Sequence, residues 1–160
     1  MQRLLMNAVA AAALAVAGCT TIDGLMAGSI NEGIPKLRDK LPRSTKVHFS
    51  DPVKGNGYAL HARNRLLVQN AFGKAFDGLG VSHSSVTNGC DVTFHVVVDD
   101  WHYGDAGFAG FGDRDEVMLS VIVMNRKTSR VLTRSSLVAR RLDALVQRYV
   151  KTLFKDKEEP

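Results

Sequence analysis

Carboxylates and histidines crowd one stretch of this 160-residue chain: Asp99, Asp100, His102, Asp105, Asp113, Asp115 and Glu116. Oxygen ligands on a loop are what Ca²⁺ requires. His95, His102 and Asp99 offer a second metal-binding set, because strand alternation turns some of them to one face. Against both, Asp113-Arg114-Asp115-Glu116 lacks the spacing of a calcium-binding EF-hand loop, and Arg114 opposes a cation. Residues of these types are more often solvated strand positions, so no metal is expected. His48-Phe49-Ser50-Asp51 and His83-Ser84-Ser85 contain the residue types of a hydrolase triad. Neighbours on a strand point to opposite faces, and no Gly-x-Ser-x-Gly elbow occurs. The glycine-rich run after Trp101 has no Lys-Ser/Thr to cradle a phosphate and leads into a strand. No enzyme activity and no cofactor are expected, and a hydrolase is the third-ranked reading.

The same segment is unusual in another way. Trp101-His102-Tyr103-Gly104-Asp105-Ala106-Gly107-Phe108-Ala109-Gly110-Phe111-Gly112-Asp113 joins two strong strands as a long hairpin loop. Phe108 and Phe111 are costly to leave in water, and exposed aromatics make good interface anchors. Trp101, Tyr103, Phe108 and Phe111 are therefore the candidate partner-binding or membrane-dipping residues. The alternative is a loop that folds back and buries both phenylalanines over the sheet.

The elements that must position this loop follow from periodicity. Lys46–Ser50 reads as a strand, stopped by Asp51-Pro52 and Gly55-Asn56-Gly57. A helix from about Tyr58 to Leu79 carries Leu60, Leu67, Val68, Ala71, Phe72, Ala75 and Leu79 on one face, interrupted by His61 and Asn64, and Gly78 and Gly80 supply the stop. Val81–Val86 is a short strand. Asp91–Trp101 alternates Val92, Phe94, Val96 and Val98 with Thr93, His95, Val97 and Asp99. Glu116–Met124 and Arg130–Ala139 complete a meander. A final helix, about Arg141 to Lys155, presents Leu142, Leu145, Val146, Tyr149, Val150, Leu153 and Phe154. The expected fold is α+β: a two-layer sandwich, mostly antiparallel, with four to five strands and two amphipathic helices on one face.

The N-terminus, MQRLLMNAVAAAALAVAGC, has a positive Arg3, an uncharged apolar run from Leu4 to Ala17, and small residues before Cys19. That is the layout of a secretory signal, with an apolar run too short to span a bilayer comfortably. Val16-Ala17-Gly18-Cys19 resembles the lipobox of bacterial lipoproteins. The resemblance implies diacylglycerol (palmitate among its acyl chains) on the Cys19 thiol, cleavage before Cys19 and acylation of the new amine. Thr20, where an aspartate would favour inner-membrane retention, points to the periplasmic face of the outer membrane. The expected organisation is a signal peptide over 1–18, a lipidated N-terminus and flexible tether over 19–44, one α+β domain over 45–155, and a frayed end over 156–160.

Removing the signal leaves about 140 residues, enough for one core. Lipid on Cys19 leaves Cys90 without an intramolecular partner, and two cysteines so far apart offer no zinc spacing. Cys90 therefore reads as a small buried hydrophobe. The formal charge of the precursor is +5. Much of the excess lies late: Arg126, Lys127, Arg130, Arg134, Arg140, Arg141, Arg148, Lys151 and Lys155. Such a surface suits anionic lipid, phosphate or an acidic partner, or is merely a solvated face. Export excludes nucleic acid.

From about Lys46 to Phe154 the mature part resembles small envelope lipoproteins of CsgG-like or TolB-N-terminal-like fold. The shared features are Asp51-Pro52 after a strand, the helix ending Gly78-Leu79-Gly80, the strand start Cys90-Asp91-Val92, and the run Val117-Met118-Leu119-Ser120-Val121 through Arg130-Val131-Leu132. Thr128-Ser129 stands where such proteins often have a glycine. The resemblance implies an assembly, scaffold or accessory role, sometimes in rings. The expected function is a non-enzymatic, outer-membrane-anchored periplasmic lipoprotein that meets an envelope protein partner or copies of itself. The alternative is a lipid- or envelope-polysaccharide-binding module.

Overall fold

The structure, a computed structural model, describes residues 27–55, 59–103 and 116–156. Among these, the elements run β1 (Gly28–Glu32), β2 (Val47–Phe49), β3 (Val53–Lys54), α1 (Ala62–Leu79), β4 (His83–Ser84), β5 (Val92–His102), β6 (Glu116–Asn125), β7 (Val131–Ala139) and α2 (Leu142–Leu153). Seven strands form one open sheet in the order β1-β7-β6-β5-β2-β4, with β3 also paired to β5.

The expected meander is present, β5-β6-β7 pairing antiparallel. A parallel pair accompanies it, β2 and β4 joined through α1. The class is α+β, but the sheet is mixed rather than mostly antiparallel, and it has seven strands rather than four to five. β2 and β3 both add to β5 in parallel. The two-residue β3 is too short to show a period of two, so alternation could not reveal it, whereas β4 falls within the expected Val81–Val86 strand.

A larger correction concerns the segment read as a tether. Gly28–Glu32 is an edge strand paired with β7 from Gly28↔Ala139 to Glu32↔Ser135. Gly33 N–H continues the ladder to the Arg134 carbonyl at 2.7 Å. Further on, Leu41 bridges Phe154, and Leu41 N–H donates to the Leu153 carbonyl at 2.8 Å. Residues 28–44 thus belong to the domain. Gly28 permits the strand's start: its φ is +130°, and a Cβ there would run into the Val138 carbonyl.

Both helices cover one face of the sheet. Val92, Phe94, Val96 and Val98 of β5, Val117, Leu119, Val121 and Val123 of β6, and Leu137 and Ala139 of β7 meet the buried sides of α1 and α2. Phe76 is the centre of the core, touching the rings of Phe49, Phe72, Phe94 and Phe154 at centroid distances of 5.2–6.4 Å. The expected stripe of α2 is buried at Leu145, Val146, Tyr149, Val150 and Leu153. That of α1 is rotated from expectation. Phe76 and Asn64 are buried, whereas Leu67 is 43% exposed. The helices run in the same direction: Leu67 and Leu142, near their starts, line one pocket, and Arg43 joins their ends. Arg43 donates from Nε to the Lys155 carbonyl at 2.9 Å and from Nη1 to the Leu79 carbonyl at 3.0 Å. A guanidinium there satisfies carbonyls left open at helix C-termini and opposes their negative dipole ends.

Candidate functional site

The best-marked surface lies where β5 ends. A register shift between Val98 and Asp100 places two successive carboxylates, Asp99 and Asp100, on the exposed surface and returns Trp101 to the covered side opposite Val117. Trp101 is half-buried against the core. Its indole N–H is buried and finds no acceptor among the described residues. Tyr103 stacks beside it, ring centroids 6.1 Å apart, and stays 60% exposed. The phenol oxygen accepts a 2.7 Å hydrogen bond from Asn64 Nδ2. Asn64, the polar break in the α1 stripe, is therefore buried in order to hold Tyr103. Leu67, Trp101, Val117, Ala139 and Leu142 line a pocket of about 470 Å³ here, with Arg140 and Gln147 also lining it. Arg140 pairs with Glu116 at 3.2 Å, and His102 with Asp100 at 2.9 Å. Of the four predicted loop residues, Trp101 and Tyr103 form this stacked pair. Phe108 and Phe111 lie outside the described residues, as does Cys19.

The described chain also starts at this end. The Ala27 carbonyl accepts the Arg140 and Arg141 N–H groups, each at 3.1 Å, at the turn that lines the pocket. No sequence pattern pointed to that juxtaposition, since it depends on β1 pairing with β7.

The described side chains of the metal and hydrolase sets have the partners given next, while Asp105, Asp113 and Asp115 lie outside the described residues. His95 meets Ser50, His102 meets Asp100, and the Asp99 carboxylate accepts from Ser120 Oγ at 2.7 Å. Among the described residues no three His, Cys, Asp or Glu side chains gather. His83 contacts Asp77 at 3.1 Å, and Ser84 Oγ accepts the Val86 N–H. Ser50 and His95 do meet, Oγ to Nδ1 at 3.2 Å. Ser50 Oγ also donates to the Phe94 carbonyl at 3.0 Å. Asp51, the nearest carboxylate in sequence, is engaged by Gln69. Partial burial, and then the neighbouring His48, lower the His95 pKa.

The late basic residues form no single patch. Arg126, Lys127 and Arg130 ring the β6–β7 turn, Arg134 lies exposed on β7, Arg140 and Arg141 stand at the Trp101 end, and Lys151 and Lys155 lie toward the other. Cys90 is half-buried and donates to the Val86 carbonyl, Sγ to O 3.5 Å. No described helix is long and apolar enough to cross a membrane.

No protein-family model matches the sequence, and no curated protein matches it significantly. Solved structures do. A PelC variant dodecamer from Paraburkholderia phytofirmans superposes with a TM-score of 0.63 at 12% identity, over 81% of this chain and 99% of that one. The fold is shared with PelC. A second PelC dodecamer structure from the same organism gives 0.62 at 11% identity, with the same coverage of both chains. A DUF330 protein from Xanthomonas campestris aligns at a TM-score of 0.49 and 12% identity, over 69% of this chain and 81% of that one.

Proposed function

We propose that the mature chain is a lipid-anchored envelope protein that works by contact rather than turnover, with its Trp101 end held against the bilayer. The observation that carries this is the position of Ala27. Seven residues, eight Cα–Cα steps, lead from Cys19 to it, a reach of at most ~29 Å when fully extended. An acylated Cys19 would therefore keep the Ala27 end close to the membrane, and that end bears the Trp101–Tyr103 pair and the exposed Leu67. Tryptophan and tyrosine favour the headgroup region because each combines an apolar ring with a polar tip. The outer membrane, with the domain in the periplasm, is the location this reading assigns.

PelC, which has this fold, is a dodecamer. We extend that to self-association here, with an envelope complex as the setting; the resemblance to CsgG-like and TolB-N-terminal-like lipoproteins favours the same role. The open face of the sheet, carrying Val97, Met118, Ile122 and Val138 partly exposed, is the surface available for it. Expression of the full chain in a Gram-negative host tests both parts. Mass spectrometry should show loss of residues 1–18 and a diacylglyceryl-modified Cys19, and light scattering of the purified protein should show a discrete oligomer. An unprocessed soluble chain, or processing unchanged in Cys19→Ser, would refute the anchor. A strict monomer would refute self-association.

A further inference from the structure

The pocket at the Trp101 end has two chemically distinct parts. Its walls are apolar, with Leu67 from α1, Trp101 from β5, Val117 from β6, and Leu142 and Ala144 from α2. Val117 is buried, whereas Trp101, Leu142 and Ala144 are partly exposed and Leu67 stands open to solvent. Arg140, Arg141 and Asp143 line the same pocket from the surface. Arg140 donates from Nε to Glu116 at 3.2 Å, and Lys74 donates to Asp143 at 2.9 Å. Among the described residues at this rim, Arg140, Arg141 and Lys74 thus stand against the carboxylates of Glu116 and Asp143. The excess is positive. A guanidinium presents its donors as a planar fork, so Arg140 can serve Glu116 through Nε and turn its Nη groups to a second acceptor.

We infer, resting on the membrane-facing reading of this end, that the pocket holds one anionic phospholipid of the bilayer. An acyl chain lies along the apolar wall, and the phosphate meets Arg140 and Arg141. Hydrocarbon next to a phosphate is the chemistry that an apolar wall beside two arginines complements, and phosphate oxygens take paired bonds from a guanidinium. A zwitterionic headgroup fits less well, because its ammonium would be brought up to the same cations. A free phosphate or a soluble acidic peptide would leave Leu67, Trp101 and Leu142 in water. Basic pockets at membrane surfaces draw anionic headgroups by the same electrostatics. At about 470 Å³ the pocket is on the scale of a small-ligand site.

Emission of Trp101, the single tryptophan, reads occupancy of this pocket. The processed full chain is reconstituted through Cys19 in phosphatidylcholine vesicles holding a minor fraction of phosphatidylglycerol. Bromine is carried on the acyl chains of the phosphatidylglycerol in one preparation and on an equal amount of the phosphatidylcholine in another. Quenching by brominated phosphatidylglycerol should reflect about fivefold tighter binding, the effect of one basic residue near a membrane surface. Arg140→Ala combined with Arg141→Ala should erase that preference. Lys151→Ala combined with Lys155→Ala, which removes the same charge at the far end, should leave it intact. Ala144→Leu, which narrows the pocket with both arginines in place, should weaken it and decides the matter if the double arginine variant fails to fold. Equal quenching by the two labels would overturn the lipid assignment while leaving the membrane-facing reading standing. A preference unchanged without the two arginines, or lost equally without the two lysines, would overturn it as well. Quenching by neither label would refute the membrane-facing reading itself, and the lipid site with it.

Discussion

Tyr149 shows how much a single atom decides. The sequence places its ring correctly in the α2 stripe, because a period of 3.6 registers an aromatic residue as apolar. Periodicity says nothing of the phenol oxygen, whose neighbours Ser135 and Glu32 arrive from strands distant in the chain. Removing that oxygen should not weaken the fold. Tyr149→Phe is expected to stay close to wild-type stability in denaturant, since it keeps the buried ring and deletes a hydroxyl whose one neighbouring polar group among the described residues, Ser135, lies in poor hydrogen-bond geometry. The pH dependence has a definite sign. The folded-state pKa lies above the unfolded value of 10.0, so this contribution to stability is intact below pH 10 and is lost as pH rises toward about 12. Unfolding followed across that window should show the loss in wild type and not in Tyr149→Phe. His95 acts at the other end of the scale. Its folded pKa lies below 6.5, so the unfolded chain takes up a proton first and stability falls as pH drops below 6.5. In His95→Gln that slope should flatten.

At the scale of elements, the long periodic segments were legible, the short β2 and β4 lie within expected runs, and β1 and β3 were not legible. β5, β6, β7 and α2 lie within a residue or two of expectation, because eleven, ten, nine and twelve residues suffice to display a period. β1 reads GSINE, with glycine and proline around it and one apolar residue inside. Only its partner β7 makes it a strand. Ser129 occupies the left-handed region at φ 54° in the β6–β7 turn, doing there what a glycine commonly does. Two substitutions test these assignments. Gly28→Ala should detach β1, seen as faster amide exchange over residues 29–33 and a stability loss above ~1 kcal/mol. Phe76→Ala, at a position the expected α1 stripe omitted, should cost about 3–5 kcal/mol in equilibrium unfolding. Leu67→Ala, in that stripe yet exposed, should cost far less.

For the whole molecule, topology brings together what the sequence scatters. The segment read as a tether holds an edge strand from Gly28 to Glu32, so, if Cys19 is lipidated as proposed, at most residues 20–26 stand between it and the described domain. So short a connection would orient the domain, because a long tether would let any face meet the bilayer. Arg43 works at the opposite end, where both helices stop. Arg43→Ala should lower stability by about 2 kcal/mol by leaving the Leu79 and Lys155 carbonyls without their charged donor, measurable as a fall in denaturation midpoint. Trp101 was recognisable from sequence as part of an unusual aromatic run, whereas its closeness to Ala27 was not, since that depends on a strand no pattern announced. Trp101 is also the chain's single tryptophan, so its fluorescence reports on this end alone. The most direct test of a membrane-facing Trp101 end is therefore quenching of that emission by bromine-labelled phospholipids, with the lipidated full chain reconstituted in vesicles. Strong quenching, reduced when Asn64→Ala frees Tyr103 from its place beside the indole, is the expected result. Emission unaffected by brominated lipid, in protein shown to be vesicle-bound through Cys19, would contradict it.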